Sequence, residues 1–170
     1  MIDVVTTGIR RPEILALAYE SYFAGAIQGL PKLRIILNID PIGDGSAKKM
    51  RDIAARYAHE LVIRETETPN FSAAVNWDWS HVRSDVFLHL EDDWLLRRPI
   101  SFAHWQSQLL CDPIVKQSVL VRKHPRRGLC YYSFRPNLAK SQVIEDVGVI
   151  PHDVNPEKYS AQILGERASI

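Results

Sequence analysis

Along the first ninety residues, short apolar runs alternate with segments whose apolar positions recur at helical spacing. That alternation predicts an α/β domain around a mostly parallel central sheet. The runs at 2–6, 33–39, 61–65 and 86–90 read as strands, and the second shows little alternation, as expected where both faces are covered. Arg11, Pro12 and Glu13 open a first helix: proline in the first turn forfeits no hydrogen bond, and Glu13 suits the positive end of the helix dipole. Its expected inner face is Ile14, Leu17, Ala18, Ser21 and Tyr22, and its end lies near Gly25. After turn chemistry at 41–46, Ser46 caps a second helix over about 47–58 that carries Met50, Ile53, Ala54 and Tyr57 inward. Thr68, Pro69 and Asn70 turn the chain again into a third helix, from Phe71 or Ser72 to about Val82, with Ala73, Ala74, Trp77 and His81 on its inner face.

Beyond residue 97 the pattern loosens into a helix at 101–110, strands at 118–121 and 129–133, and a last helix from 156 to about 167. No repeat or Gly/Ser linker divides the 170 residues, so a single domain is expected over 1–170, with a change of character between 1–98 and 99–170. Hydrophobic residues at 46% and charged residues at 24% supply a full core and exclude a disordered chain. Twenty-one Lys and Arg against 20 Asp and Glu leave a net charge of +1, which offers no global field for nucleic acid. Cys111 and Cys130 form no CxxC pair and have no histidines at zinc spacing, so both read as reduced, buried thiols. The absence of a signal-like start and of an ~18-residue apolar run points to a cytoplasmic protein.

The most informative stretch is Glu91, Asp92 and Asp93, three consecutive carboxylates directly after the fourth apolar run. Strand propensity disfavours them there and they repel one another, which a divalent cation at the carboxyl edge of a parallel sheet would relieve. Hard oxygens select Mg2+ or Mn2+. A solvated acidic turn is the plain alternative, but Thr6 and Thr7 after the first strand and Asp40 after the second are expected on the same rim.

Four stretches, in order, resemble a glycosyltransferase of the GT-A fold, nearest to the family 2 type. They are Val5 to Leu15 with its Arg11, Pro12, Glu13, followed by Ser21; Asn38, Ile39, Asp40 with Asp44, Gly45, Ser46; Asn70 to Asn76; and Leu90 to Trp94. The resemblance covers roughly residues 1–98. It implies a nucleotide-diphospho-sugar transferase in which Thr6, Thr7, Arg11, Asp40, Asn76, Glu91 and Asp92 contact the nucleotide and Asp93, with Glu91 or Asp92, holds Mn2+ or Mg2+. The donor is expected to be a UDP-sugar, with guanosine and deoxythymidine open, and the acceptor a saccharide or envelope-type hydroxyl; oligomeric state is left open. Glu91 stands where the family has the first aspartate of its DxD motif, so the division of labour among the three carboxylates is open.

An inverting transferase needs a general base, and the family takes an Asp or Glu from its C-terminal half. Glu157 and Asp153 are set ahead of Glu145 and Asp146, whose neighbours also suit a strand-rich stretch. Glu157 has the plain alternative of helix-dipole compensation. His152 is a further candidate metal contact, and His89 a core histidine. Arg122, Lys123, Arg126 and Arg127 could meet a phosphate or cap a solvated hairpin; Arg10, Arg11, Arg97 and Arg98 lie nearer the expected rim. Two rivals remain: a nucleotidyltransferase, which lacks its glycine-rich loop here, and a GT-A-like module that binds nucleotide or carbohydrate without turnover.

Overall fold

The computed structural model describes residues 1–111, 115–119 and 134–168. Four parallel strands form the heart of a six-stranded sheet: β1 (Ile2–Ile9), β3 (Leu33–Asp40), β4 (Glu60–Glu65) and β5 (Val86–Glu91). The order is β4-β3-β1-β5-β8-β7, with β8 (Asn137–Lys140) antiparallel to both β5 and β7 (Gln117–Val119). A small second sheet pairs β2 (Ile27–Gln28) with β6 (Ile100–Ser101) in parallel. Helices α1 (Pro12–Phe23), α2 (Ala47–Ala55) and α4 (Phe102–Leu110) cover one face, and α3 (Phe71–Ser80), α5 (Gln142–Val147) and α6 (Pro156–Ala168) the other. The mostly parallel α/β sandwich expected from the sequence is what forms.

Strand β3 explains why the two faces differ. Leu33, Ile35, Leu37 and Ile39 all enter the α1/α2 core, whereas Arg34, Ile36, Asn38 and Asp40 face the α3 side. All eight residues are buried, so one face is pure hydrocarbon and the other a polar row that climbs toward the carboxyl edge. At the opposite edge, buried Arg34 meets Asp3 at 2.8 Å and donates to the His81 carbonyl, while Asp3 accepts from the Ser84 amide at 2.8 Å. That set of bonds makes a fully buried arginine tolerable.

Several local expectations are corrected. Helix α1 turns Leu15, Ala18, Tyr19 and Tyr22 inward, leaving Ile14 39% and Leu17 59% exposed. The helix is apolar around most of its circumference, so two adjacent stripes satisfy helical spacing and packing on the sheet selects one. Helix α3 buries Ser72, Ala74, Val75, Asp78 and Trp79, while Trp77 lies half-buried against His81. The stretch at 143–147, read as strand-rich, is the helix α5, and β8 was not expected at all. Cys111 is exposed rather than buried. The expected strand at 129–133, Cys130 and the basic run at 122–127 lie outside the described residues. Among the described residues, no helix is long and apolar enough to cross a membrane.

Candidate functional site

The loops that leave β1, β3 and β5 and the start of α3 enclose a cleft of about 310 Å³ at the carboxyl edge of the sheet. This is the side of β1 at which the chain reverses its direction of winding, from β3 and β4 back across to β5, where open α/β sheets bind ligands. Thr7, Gly8 and Ile9 form one wall; Asp40, Ile42, Pro69, Asn70 and Phe71 the second; and Glu91, Asp92 and Asp93 the floor.

The three carboxylates are not equivalent. Asp92 is buried and turns back into the protein: its Oδ2 accepts the Ile9 amide at 3.3 Å and its Oδ1 accepts from Arg11 Nη2 at 3.1 Å. Gly8 lies close beside it: a Cβ there would stand 3.4 Å from Asp92 Oδ2, an ordinary contact, and 3.2 Å from the flexible end of Met50. Burial raises the Asp92 carboxyl above its ordinary range, and the Arg11 guanidinium opposes that rise. Asp93 faces the cleft with its side chain 48% exposed, and also lies 3.5 Å from Arg11. Glu91 is half-buried, and burial together with the charges of Asp93 and Glu157 pushes it up to about 7.

A bound cation would offset both the burial of the Glu91 charge and its repulsion from Asp93. Among the described residues, no three His, Cys, Asp or Glu side chains converge into a ready cage. Glu91 and Asp93 nevertheless suit an ion of the Mg2+ type, which takes one or two carboxylates and completes its shell with water and ligand phosphates. The residues present therefore fit such a cation through Glu91 and Asp93, with Asp92 serving as the clamp that ties β5 to the end of β1.

Other expected site residues separate in the same way. Strand parity sends Thr6 to the opposite face, fully buried and accepting from Tyr19 Oη at 3.0 Å, while Thr7 reaches the cleft. Asp40 lines the cleft; its Oδ1 accepts from Asn38 Nδ2 at 2.9 Å and Thr66 Oγ1 at 3.1 Å. Asn76, expected beside the nucleotide, instead spends its amide on the backbone of Ile150, donating at 2.8 Å and accepting at 2.9 Å. It belongs to a series: Asn70 Nδ2 donates to the His152 carbonyl at 3.2 Å, and Ser72 Oγ to the Val154 carbonyl at 2.7 Å. These three side chains bolt the 150–154 loop, with exposed His152 and Asp153, onto α3 beside the cleft.

Glu157, in the first turn of α6, accepts the Phe134 amide at 3.3 Å, and its charge reaches Glu91 across the cleft side of the sheet. Asp146 is ion-paired with Lys116 and accepts from Gln142, and Glu145 is exposed beside the same Gln142, on a helix that starts at the far edge where Ser141 bonds Asp85. That placement takes both away from the cleft. Trp105 is buried with Nε1 bonded to Ser118 and is closed to a sugar ring, whereas Trp94 is half-buried against the α1/α2 core and hydrogen-bonds Glu91. His89 is enclosed between Phe134 and the sheet, and burial lowers it to about 3, as expected of a neutral core histidine.

Sequence reasoning missed the apolar wall. Ile42 is 48% and Phe71 40% exposed, and with Pro69 they present hydrocarbon beside Asp40. An aromatic residue at the first position of a capped helix, directly after Pro and Asn, was the available signal.

No family model and no curated protein matches the chain. Solved structures do. The mannosyltransferase PcManGT from Pyrobaculum calidifontis, in complex with GDP-Man and Mn2+, superimposes with a TM-score of 0.75 at 17% identity, over 95% of this chain and 51% of that one. Glucosyl-3-phosphoglycerate synthase from Mycobacterium tuberculosis, in complex with UDP, gives 0.65 at 13% identity over 99% and 65%. TarS 1-349 of S. aureus gives 0.68 at 11% identity over 96% and 55%. The chain thus spans half to two thirds of the length of these structures. What they share with it is the architecture and its order of elements, and the fold of this chain is that of the GT-A-type glycosyltransferases.

Proposed function

We propose that this chain is the donor-binding domain of a metal-dependent glycosyltransferase, and that the cleft at the carboxyl edge holds a nucleotide-diphospho-sugar. The observation that carries this reading is the joining, in one cleft, of an apolar wall beside a hydrogen-bonding carboxylate with two cleft-facing carboxylates at the other end. Ile42, Pro69 and Phe71 suit the flat face of a base, with Asp40 and Thr7 bonding the nucleoside. Glu91 and Asp93 suit Mn2+ or Mg2+ on the diphosphate; the ion, when bound, supplies neutralisation of the charge that develops on the departing diphosphate. The PcManGT and glucosyl-3-phosphoglycerate synthase structures contain GDP-Man with Mn2+ and UDP-Glc with Mn2+, which supports the same donor class here.

In the reaction so read, an acceptor hydroxyl attacks the anomeric carbon as the bond to the diphosphate breaks, with inversion, and a carboxylate takes the hydroxyl proton. Glu157 is the first choice for that base, because its charge already reaches Glu91; Asp153, on the loop bolted to α3, is the second. Arg11 holds Asp92 and Asp93 in place rather than meeting the base. The acceptor is a saccharide or envelope-type hydroxyl, the donor a UDP-sugar before a GDP-sugar, and the setting cytoplasmic. One second reading, a module that binds donor without completing transfer, is favoured by the cleft lining, which includes neither Glu157 nor Asp153.

Calorimetric titration of UDP and GDP, with and without Mn2+, into wild type and Asp93→Asn tests the site. Metal-dependent binding that the substitution removes supports the donor site, and a donor screen for hydrolysis or transfer then separates enzyme from module. Equal behaviour of the two proteins, or no binding of either nucleotide, overturns it.

A further inference from the structure

The polar row of β3 is covered by one residue that the cleft chemistry does not use. Asp78, on the inner face of α3, is fully buried, and neither of its carboxyl oxygens has a hydrogen-bond partner among the described residues. Burial, reinforced by the charge of Asp40 and opposed by Arg64, pushes it well above the ordinary carboxylate range. Burial thus favours the protonated carboxyl, whose O–H is a hydrogen-bond donor.

Arg64 and Asn38 are register partners on β4 and β3, and Asn38 and Asp40 are two residues apart on the same strand face. Helix α3 packs on this face of β3, and Asp78 lies on its buried side between Val75 and Trp79, which share a core cluster with Ile36, so Asp78 covers the row that carries Asn38. Asn38 presents a matching vacancy in its bonding. Its Nδ2 must face Asp40 Oδ1, because the flipped amide would set two acceptors against each other. That orientation leaves Asn38 Oδ1, fully buried, as an acceptor without a donor. One buried donor and one buried acceptor, each otherwise unmatched, complete each other.

We propose that Asp78 is a positioning residue for the cleft, acting through Asn38 to fix the orientation of the Asp40 carboxylate. The chain of contacts runs from Asp78 O–H to Asn38 Oδ1, and from Asn38 Nδ2 to Asp40 Oδ1. Thr66 Oγ1 supplies a second bond to the same oxygen. With Oδ1 held twice, Oδ2 is the oxygen of Asp40 left for a ligand, so the nucleoside meets a single acceptor of set direction rather than a swivelling carboxylate. The other charged or titratable groups on this side of the sheet are Arg64 on β4, His89 on β5, two strands away beside Phe134, and the Arg34–Asp3 ion pair toward the opposite edge.

The inference rests on the donor-site reading, so its test carries an arm that does not. Asp78→Leu keeps the volume and removes the donor; Asp78→Asn keeps a donor in the same place. The probes are UDP and GDP with Mn2+, and inorganic pyrophosphate with Mn2+, which engages the acidic end without Asp40. Asp78→Leu is expected to weaken nucleotide binding about tenfold and leave Mn2+–pyrophosphate binding unchanged, and Asp78→Asn to restore nucleotide binding to within about twofold. Unchanged nucleotide binding in Asp78→Leu overturns the inference, as does an equal loss for both probes in both variants. The second arm is the side-chain amide signal of Asn38 by NMR without ligand. Its two protons shift and exchange faster in Asp78→Leu but not in Asp78→Asn if the contact exists, and stay put in both if it does not. If wild type binds no nucleotide, the donor-site reading falls, and the Asn38 signals still decide the contact.

Discussion

Asp92 and Asp93 are neighbours in sequence with opposite expected effects. Replacing Asp92 by Ala leaves the Ile9 amide without its acceptor, at a cost of about 1–3 kcal/mol for a part-buried donor. It also releases Arg11, whose 38% exposure limits that loss to less than about 1 kcal/mol. Against this, the substitution relieves the burial of a charge and its repulsion from Asp93, both of which raise the Asp92 carboxyl. The hydrogen-bond loss wins, and a net destabilisation of about 1–2 kcal/mol is expected, or a melting temperature lower by ~2–8 °C for a domain of this size. Asp93→Ala removes a half-exposed side chain and stays within ~0.5 kcal/mol of wild type. Binding of Mn2+ with UDP or GDP ranks the two the other way: Asp93→Ala loses it, and Asp92→Ala retains most of it at temperatures where the protein is folded. Urea unfolding without metal and calorimetric titration with it measure the two halves. Equal stability losses, or a metal-site loss in Asp92→Ala as deep as in Asp93→Ala, would show that the two carboxylates do not divide the work in this way.

Asp78 holds a proton in the folded state that the unfolded chain releases above about pH 4, so the stability this confers is complete below that pH and declines as pH rises. Asp78→Asn therefore gains on wild type as pH rises above about 4 in urea unfolding, and parallel curves would refute the assignment. Arg34→Met strands Asp3 at the edge of the sheet remote from the cleft; about 3 kcal/mol of stability should go while nucleotide affinity, measured on the folded protein, does not change. Gly45 donates to the Arg10 carbonyl at 3.1 Å, and a Cβ there would meet that oxygen at 2.5 Å and also strike Pro12. Gly45→Ala should accordingly cost more than ~2 kcal/mol and weaken nucleotide binding by displacing Ile42, whose carbonyl accepts the Arg10 amide; a wild-type melting curve would count against that account. Glu157→Gln is expected to lower kcat at least 100-fold with donor affinity retained, and an unchanged turnover number would move the base elsewhere.

The parallel strands were legible because both of their faces are covered, which leaves long apolar runs in the sequence. The cleft's acidic floor was legible for the opposite reason, since charge at the end of such a run needs an explanation. What could not be read was direction. Whether Thr6 or Thr7 meets the ligand depends on strand parity relative to a helix layer that the sequence does not orient. The roles of Asp92 and Asn76 depend on partners 83 and 74 residues away, at Ile9 and Ile150. Strand β8 has four residues without a distinctive pattern, and it is held by pairing with β5 rather than by its own propensity. The polar residues of β3, Arg34, Asn38 and Asp40, share one face with Ile36 between them, and the run reads as apolar until α3 is seen to lie over that face.

The grip of α3 on residues 150–154 is made to main-chain atoms at three successive points, at Ile150, His152 and Val154. Such a hold is indifferent to which side chains the loop carries. Positions 152 and 153 project outward from a fixed track beside the cleft, so they can be varied in a library, or drift in evolution, without taxing the fold. On the proposed reading of the cleft, the same geometry that keeps the loop in register would let one scaffold be fitted to different acceptors.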